Sequence, residues 1–122
     1  MFEWNKEKFA FNVLDAEMNE KVLKEEKKLW NDISDFEEKA GNAEGKLDAD
    51  GIKAECGIID SFFAALFGKE APNKMFESKY DLAERTKALK KLYTVQRGQF
   101  EAHERRVGEL NALVMGVGEL NE

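Results

Sequence analysis

The chain has very few of the residues that usually carry out chemistry or interrupt helices. It contains one Cys, one Pro and one His among 122 residues. A single Cys excludes an internal disulfide, and the single His is too distant in sequence from Cys56 to form a recognisable catalytic set with it. No glycine-rich phosphate-binding motif is present, and no apolar run approaches the roughly 20 residues that cross a membrane. We therefore expect no enzyme, no cofactor and no membrane span.

Charged residues, in contrast, are abundant, at 36% of the chain with a net charge of −6. A negative net charge disfavours general binding of nucleic acid and favours solubility. The start of the chain lacks a basic segment followed by an apolar one, so no secretory signal is expected. The length of 122 residues is that of one domain. The composition thus predicts a single domain over residues 1–122, built from long, solvated helices.

Aromatic and apolar residues alternate with polar ones at the start of the chain. The members of this pattern are Phe2, Trp4, Phe9, Phe11 and Val13. Alternation with a period of two, interrupted by residues 5–7, predicts a small β-hairpin within residues 1–14. A lone hairpin is only marginally stable in water, so we expect its aromatic face to cap the helices. The alternative is an edge strand that recruits a partner by strand addition.

Three segments have the apolar spacing of helices. The first covers residues 16–40 and follows Asp15, a favourable N-cap. A glycine-rich loop over residues 41–50 separates it from a central helix over residues 51–67. The central helix is apolar over so wide an arc that other elements must cover it. The predicted fold is therefore mainly α, with three main helices and a small N-terminal β-hairpin.

Two glycines and a proline add detail to the prediction for the central helix and the segment after it. Gly68 is expected to end the central helix, and Gly57 inside that helix indicates a close crossing by another helix. Pro72 disfavours helical geometry at Ala71, so the segment up to Tyr80 is expected to be short and irregular.

The third helix, residues 81–115, has the most regular pattern in the chain. Its stripe alternates steps of four and three residues over about four repeats, which is the spacing of a heptad. The stripe consists of Leu89, Tyr93, Gln96, Phe100, His103, Val107, Leu110, Val114 and Val117. At 1.5 Å per residue the helix is about 50 Å long, which exceeds what a small domain covers. We expect its C-terminal half to project or to pair with another chain. Gly98, Gly108, Gly116 and Gly118 weaken the helix, so fraying or a break is expected near its end.

Five residues of this stripe form a candidate seam for a homo-oligomer. The seam consists of Phe100, His103, Val107, Leu110 and Val114. His103 has two interpretations: it sets the register of the seam, or it is partly exposed and pairs with a neighbouring acid.

A group of large apolar side chains in and after the central helix is a second candidate partner surface. Its members are Phe62, Phe63, Phe67, Met75 and Phe76. Most of the group is expected in the core, but the apolar arc of the central helix is too wide for packing against one neighbouring element. Part of it is therefore a candidate groove for an apolar helix of another protein. Cys56 lies on the same apolar face, where core packing is expected.

Two charged groups each have a plain and a functional interpretation. The basic group is Lys87, Lys90, Lys91, Arg97, Arg105 and Arg106. It either contacts phosphate, or lies on a solvated face or against the acidic first helix. The acidic residues of the first helix, from Glu25 to Glu38, are expected to be solvated rather than to bind a metal, since no His accompanies them.

The residues with the most distinctive arrangement resemble a known family. They are Phe2, Trp4-Asn5, Phe9, Phe11, Asp15-Ala16-Glu17, Ile52, Ala54, Cys56, Phe62-Phe63, Leu66-Phe67-Gly68, Asn73-Lys74, Phe76, Lys79-Tyr80 and Leu82. Together they resemble small proteins encoded in tailed phages and prophages of Gram-positive bacteria, over roughly residues 1–95. Two features depart from that pattern: Ala64-Ala65 stand where relatives place acids, and the helix beyond residue 96 is longer.

The resemblance implies a role in phage tail assembly. Its members are encoded where tail assembly chaperones are found, and such helical chaperones keep the long, apolar tape measure protein soluble until tail tube subunits polymerise around it. Tape measure protein and tail tube protein are thus the implied partners, and the host cytoplasm is the implied location. The alternative is a minor structural virion protein, for tail or head–tail completion, that assembles through its helical seam.

Overall fold

A computed structural model of the chain describes residues 1–40 and 47–120, with the side chains of residues 40 and 117–120 excepted. The elements are β1 (Phe2–Trp4), β2 (Glu7–Phe9), α1 (Ala16–Ala40), α2 (Ala49–Phe67), α3 (Ala71–Met75) and α4 (Leu82–Leu120). The mainly α fold, its N-terminal hairpin and its long C-terminal helix are confirmed. Most of the predicted loop over residues 41–50 lies outside the described residues.

The N-terminal hairpin is short and tightly turned. β1 and β2 pair antiparallel with Phe2 opposite Phe9, and two residues connect them. Asn5 and Lys6 both have positive φ, 51° and 68°, as the two central residues of a type I′ turn require. The strands end at Phe9, so the alternation predicted through Val13 continues beyond the sheet. Val13 is nevertheless buried, because the segment after β2 lies against α4.

α1 and α2 form an antiparallel pair. At one end Lys21 Nζ donates to the Leu66 carbonyl over 3.3 Å. At the other end a Cβ on Gly51 would lie 3.6 Å from Cζ of Phe36. The close approach predicted at Gly57 was wrong: a Cβ there would meet nothing within 4 Å, and Gly51 is the crowded glycine instead.

The start of α2 and the segment after it both differ from the sequence prediction. α2 begins at Ala49, two residues early, because Asp48 caps it by accepting from the Gly51 N–H over 2.8 Å. The irregular segment predicted around Pro72 is in fact α3. Proline fits the first turn of a helix, where its missing N–H has no intrahelical partner.

The core lies between the hairpin and the four helices. Its fully buried members include Phe2, Val13, Val22, Leu29, Ile59, Phe63, Met75 and Leu92. Phe67 joins the hairpin to α2, because its ring stacks on those of Phe9 and Phe2 with centroids 4.8 and 5.5 Å apart. Such pairs add about 1 kcal/mol beyond the area they bury. The hairpin thus covers one side of the wide apolar arc of α2.

α4 is capped by Asp81, whose Oδ1 accepts from the Glu84 N–H over 3.3 Å. The helix continues to Leu120 through Gly98, Gly108 and Gly116, so the break predicted near these glycines was wrong. None of the three glycines touches another element. They therefore lower the helix propensity of α4 without bending it.

Arg85, on the first turns of α4, holds together three parts of the fold. Its Nε and Nη2 donate to Oδ1 and Oδ2 of Asp60 on α2, over 3.0 and 3.3 Å. Nη1 donates to the carbonyls of Ser78 and Asp81, and Nη2 donates to that of Lys79. All five N–H groups of the guanidinium are engaged. Its plane also lies 4.4 Å from the centroid of the Phe76 ring.

Arg85→Met is expected to lower the free energy of unfolding by about 3 kcal/mol. The change leaves the Asp60 carboxylate and three carbonyls without the only guanidinium that satisfies them. Arg97→Met, at an exposed site on the same helix, serves as the control and is expected to change stability by less than about 0.5 kcal/mol. Urea unfolding of both variants measures this. Equal stabilities would show that Arg85 does not hold the loop.

Candidate functional site

The heptad stripe of α4 passes from the core into solvent along one continuous helix. Leu89 is buried and Tyr93 is half-buried, whereas Phe100 is 39% exposed. Val107 is 50% exposed and Val114 is 68% exposed. Every residue from His103 to Met115 is exposed, and we call residues 103–115 the projecting segment. The prediction that the C-terminal half projects is confirmed. The seam is therefore uncovered in the single chain.

The hairpin, α1, α2, α3 and the part of α4 up to Gln99 pack together, and we call them the body. Gln99 is the residue at which the body ends. Its Oε1 accepts from the Val13 N–H, and its Nε2 donates to the Phe11 carbonyl, both over 2.8 Å. The side-chain amide thus pairs with the backbone after β2 much as a neighbouring strand does. One turn later, only Ala102 remains half-buried. The sequence carries no signal for this contact, because glutamine is common on helix surfaces.

The projecting segment exposes more apolar surface than the seam alone. Leu110 is 61% exposed, and Leu113, which flanks the seam, is 66% exposed. Met115 is 60% exposed on the outer side of the helix. Charged residues occupy the remaining faces, as Glu104 and Arg106 do next to His103. An amphipathic helix with a broad apolar face is normally covered by another element. In this fold nothing in the described chain covers it.

The central aromatic group does not form the groove that the sequence allowed. Phe62, Phe63, Met75 and Phe76 are at most 7% exposed, so they form the core. Phe67 is half-buried beneath the rings of the hairpin. The aromatic face of the hairpin covers part of this group, as the sequence predicted, and α3 contributes Met75 to the same core. The hypothesis that this group receives a partner helix is therefore wrong for the folded chain.

The chemically reactive groups of the body serve packing. Cys56 is fully buried, as predicted, and burial raises the pKa of its thiol, which is the opposite of what activates a nucleophile. Arg85 lines an open depression with Tyr80 and Asp60 but has no donor left for an anion.

Within residues 1–40 and 47–116 no cluster of three His, Cys, Asp or Glu side chains is placed to hold a metal. The helices described there include none with a stretch long and apolar enough to cross a membrane.

The charged groups of the two long helices remain mostly solvated. The six basic residues of α4 singled out by the sequence are all exposed. Where side chains are described, the ion pairs are Glu3–Lys8, Lys28–Asp32 and Asp60–Arg85, and none of them joins α1 to α4. The basic stretch therefore lies in solvent and does not pair with the first helix among the described residues, while its contact with phosphate stays a prediction.

Instead of an ion pair, a small polar contact joins α1 to the stripe of α4, at Tyr93 and Gln96. Trp30 Nε1 donates to the Tyr93 hydroxyl over 3.1 Å. One turn away along each helix, Glu26 faces Gln96, and each retains a buried Oε1 without a hydrogen-bond partner. Burial raises the pKa of the Glu26 carboxyl, and its contact with the Gln96 amide offsets only part of this. Trp30 itself is 50% exposed. Tyr93 and Gln96 form the last turn of α4 that α1 covers before the seam begins.

Two of the uncrowded glycines of α4 lie on different parts of the protein, Gly98 in the body and Gly108 in the projecting segment. Gly98→Ala is expected to raise the free energy of unfolding by about 0.5–1 kcal/mol, because Gly98 lies beside the contacts of Gln99. Gly108→Ala is expected to increase helical circular dichroism without changing the main unfolding transition, because residue 108 lies beyond the body. Thermal unfolding followed by circular dichroism measures both. An equal rise in midpoint for the two variants would show that the segment folds as part of the body.

Glu26→Gln is expected to stabilise the protein at neutral pH. The folded state raises the pKa of this carboxyl above its ordinary 4.5, so ionised Glu26 costs stability above the raised value. The advantage of Glu26→Gln over the natural chain should shrink as pH falls through the raised pKa and vanish below about 4.5. Glu20→Gln, which removes the same charge at an exposed site of α1, is the control. A pH-independent gain, or none, in urea unfolding would contradict the stated cause.

The chain was compared with known families, curated proteins and solved structures. No curated protein and no solved structure matches it. The model of a family of unknown function, DUF6673, matches residues 5–112, which include the body after β1 and the seam as far as Leu110. Because this match covers most of the chain, the protein is a member of the family of unknown function DUF6673.

Proposed function

We propose that the chain is a chaperone-like assembly protein that binds an amphipathic helix of another protein along its seam. The observation that carries this proposal is the apolar row of Phe100, Val107, Leu110 and Val114, which lies in solvent on a helix whose earlier turns are core. The proposed role involves binding and release and no catalysis.

The form of the seam defines the partner. Steps of four and three residues keep the row from Phe100 to Val114 on one side of α4 over two heptads, which is the spacing with which one helix packs along another. The partner is therefore an α-helix with its own apolar row. Flat surfaces and extended peptides do not match this spacing. Leu113, at the g position, widens the row on one side.

The family resemblance supplies the identity that we propose for this partner. In phage tail assembly the tape measure protein is long and apolar, and it must stay soluble until tail tube protein surrounds it. A chain with a net charge of −6, whose projecting helix covers apolar segments, suits this task in the host cytoplasm. Several copies on one tape measure protein would add charge along its whole length.

Leu110→Glu is expected to abolish copurification of the tape measure protein encoded beside this chain, because the carboxylate would be buried against the partner helix. Ala112→Glu adds the same charge on the opposite face of α4 and is expected to copurify normally. The measurement is affinity purification after coexpression, with circular dichroism to show that both variants remain folded. Retention by Leu110→Glu, or failure of the natural chain to keep the tape measure protein soluble, would end this proposal.

The second candidate is a minor structural virion protein, for tail or head–tail completion, that uses the same seam permanently. The regular heptad of the projecting segment favours it equally, because a lasting interface uses the same chemistry as a transient one. Mass spectrometry of purified virions separates the two. A chaperone is absent from the particle, whereas a structural component is present at a fixed copy number.

A further inference from the structure

We infer that the seam is covered by the seam of a second copy of this chain that runs in the opposite direction, with Val107 opposite Leu110 of the second copy. This inference concerns the same surface as the proposed function but does not depend on the phage partner. It states what occupies the seam when no other protein does, and it fixes both the direction and the register of the pair.

α1 limits the part of α4 that a second copy can reach. Trp30 of α1 donates to the Tyr93 hydroxyl, and Glu26 faces Gln96, so the chain itself covers the stripe up to residue 96. Phe100 is already 39% exposed, and the seam beyond it is uncovered. A parallel copy in register would bring its own α1 and body to this same end of the seam. A copy that runs in the opposite direction brings its body to the far end, where the first copy has only the last turns of one helix.

The heptad allows the opposite direction only in registers that differ by seven residues. The a positions of the seam are Phe100, Val107 and Val114, and the d positions are His103 and Leu110. When two helices run in opposite directions, each layer combines an a residue of one helix with a d residue of the other. Val107 opposite Leu110 of the second copy therefore defines one complete register. In it Phe100 lies opposite residue 117, and the helix of the second copy ends at Leu120, opposite residue 97.

The two neighbouring registers fit the structure less well. A shift of seven residues toward the body would set the last turns of the second copy against Tyr93 and Gln96, which α1 covers. A shift of seven residues away from the body would leave Phe100 and His103 without a covering helix. The proposed register thus covers the whole seam, and the second helix ends just before the turn that α1 occupies.

The residue types across the layers are complementary in size. His103 lies opposite Val114 of the second copy, and Phe100 lies opposite residue 117, which is also a valine. Each ring thus faces a smaller, branched side chain, which is how large and small residues fill a shared layer. By symmetry every layer occurs twice, so the same surface serves both copies.

The positions that flank the seam bring no like charges together. In a pair of opposite direction a residue at e faces a residue at e, and a residue at g faces a residue at g. Glu104 lies beside Asn111 of the second copy, and Arg106 lies beside Leu113 of the second copy. Asn111 also borders His103 of the other copy, and its amide has both the donor and the acceptor that a neutral imidazole requires.

The ends of the pair are complementary in charge. The last turn of α4 leaves carbonyl groups unpaired, which gives this end of the helix a partial negative charge. In the proposed register that turn lies beside Arg97 of the other copy, an exposed cation on the same side as the seam. A cation beside the end of a helix is stabilising, and the opposite directions also align the two helix dipoles favourably.

Cysteines at positions 103 and 114 test the direction and the register together. The variant with both His103→Cys and Val114→Cys places each new thiol opposite the other kind in the second copy, so mild oxidation should yield a covalent dimer. Either substitution alone should yield none, because the two equivalent thiols lie about 16 Å apart along the helices, beyond the reach of a disulfide. In a parallel pair in register, each single variant would instead crosslink with itself.

The variant with both Arg105→Cys and Ala112→Cys is the matched control. These positions have the same relation to each other on the outer face of the helix, so this variant should not crosslink. Cys56 is buried in every variant. A covalent dimer from either single variant, none from the seam variant with both cysteines, or equal yields from that variant and the control would overturn the inference.

Light scattering of the purified natural chain tests the pairing without any phage component. A dimer is expected, and Leu110→Glu should be monomeric while Ala112→Glu remains dimeric. A natural chain that remains monomeric at its highest soluble concentration would overturn the inference. That result would leave the coexpression experiment unaffected. A dimer that fails to retain the tape measure protein would, in turn, contradict the proposed function and leave the pair intact.

Discussion

The anchoring of α4 at two points determines which parts of this protein are core and which are surface. Arg85 fixes the start of the helix through five hydrogen bonds to α2 and to the preceding loop. Gln99, four turns later, fixes it to the backbone after β2. Beyond Gln99 the helix keeps its heptad spacing of apolar residues but is no longer packed against the other elements of the body. The same heptad therefore changes role along one helix, from packing within the chain to offering a surface to another molecule.

The body needs nothing from the projecting segment to close its own core. The hairpin covers Phe67 and Phe63 from one side, and α3 inserts Met75 from another. The wide apolar arc of α2 is thereby covered within the chain and offers no surface to another protein. Apolar side chains such as Leu23 and Trp30 are exposed on the body, but the exposed row with heptad spacing lies on α4. The separation is physical: a core cannot act as a docking surface without partial unfolding, whereas the exposed row of a projecting helix can do so at once.

Periodicity predicted α1, α2, α4 and the hairpin because each depends on neighbours in sequence. α3 was missed because Pro72 resembles a helix breaker and acts as one everywhere except in a first turn. Arg85 and Gln99 were missed for a different reason. Their partners, Asp60 and the backbone of residues 11–13, lie 25 and more than 80 residues away, and no local pattern links them. The width of the α2 arc was visible, but whether this chain or another covered it depended on tertiary structure.

A helix that projects from its domain is stabilised by little except its own hydrogen bonds. Most helical stability in proteins comes from packing of an apolar face, and residues 103–115 have no such packing within the chain. Gly108 and the β-branched Val107 and Val114 lower helix propensity further. Folding of this segment and binding along its seam are therefore linked, because a covering helix supplies the packing that the body does not. The body then contributes a first turn already fixed at Gln99, from which the helix extends without a new nucleation step. In this way a segment of modest intrinsic stability remains ready to bind, and it becomes rigid when its seam is covered.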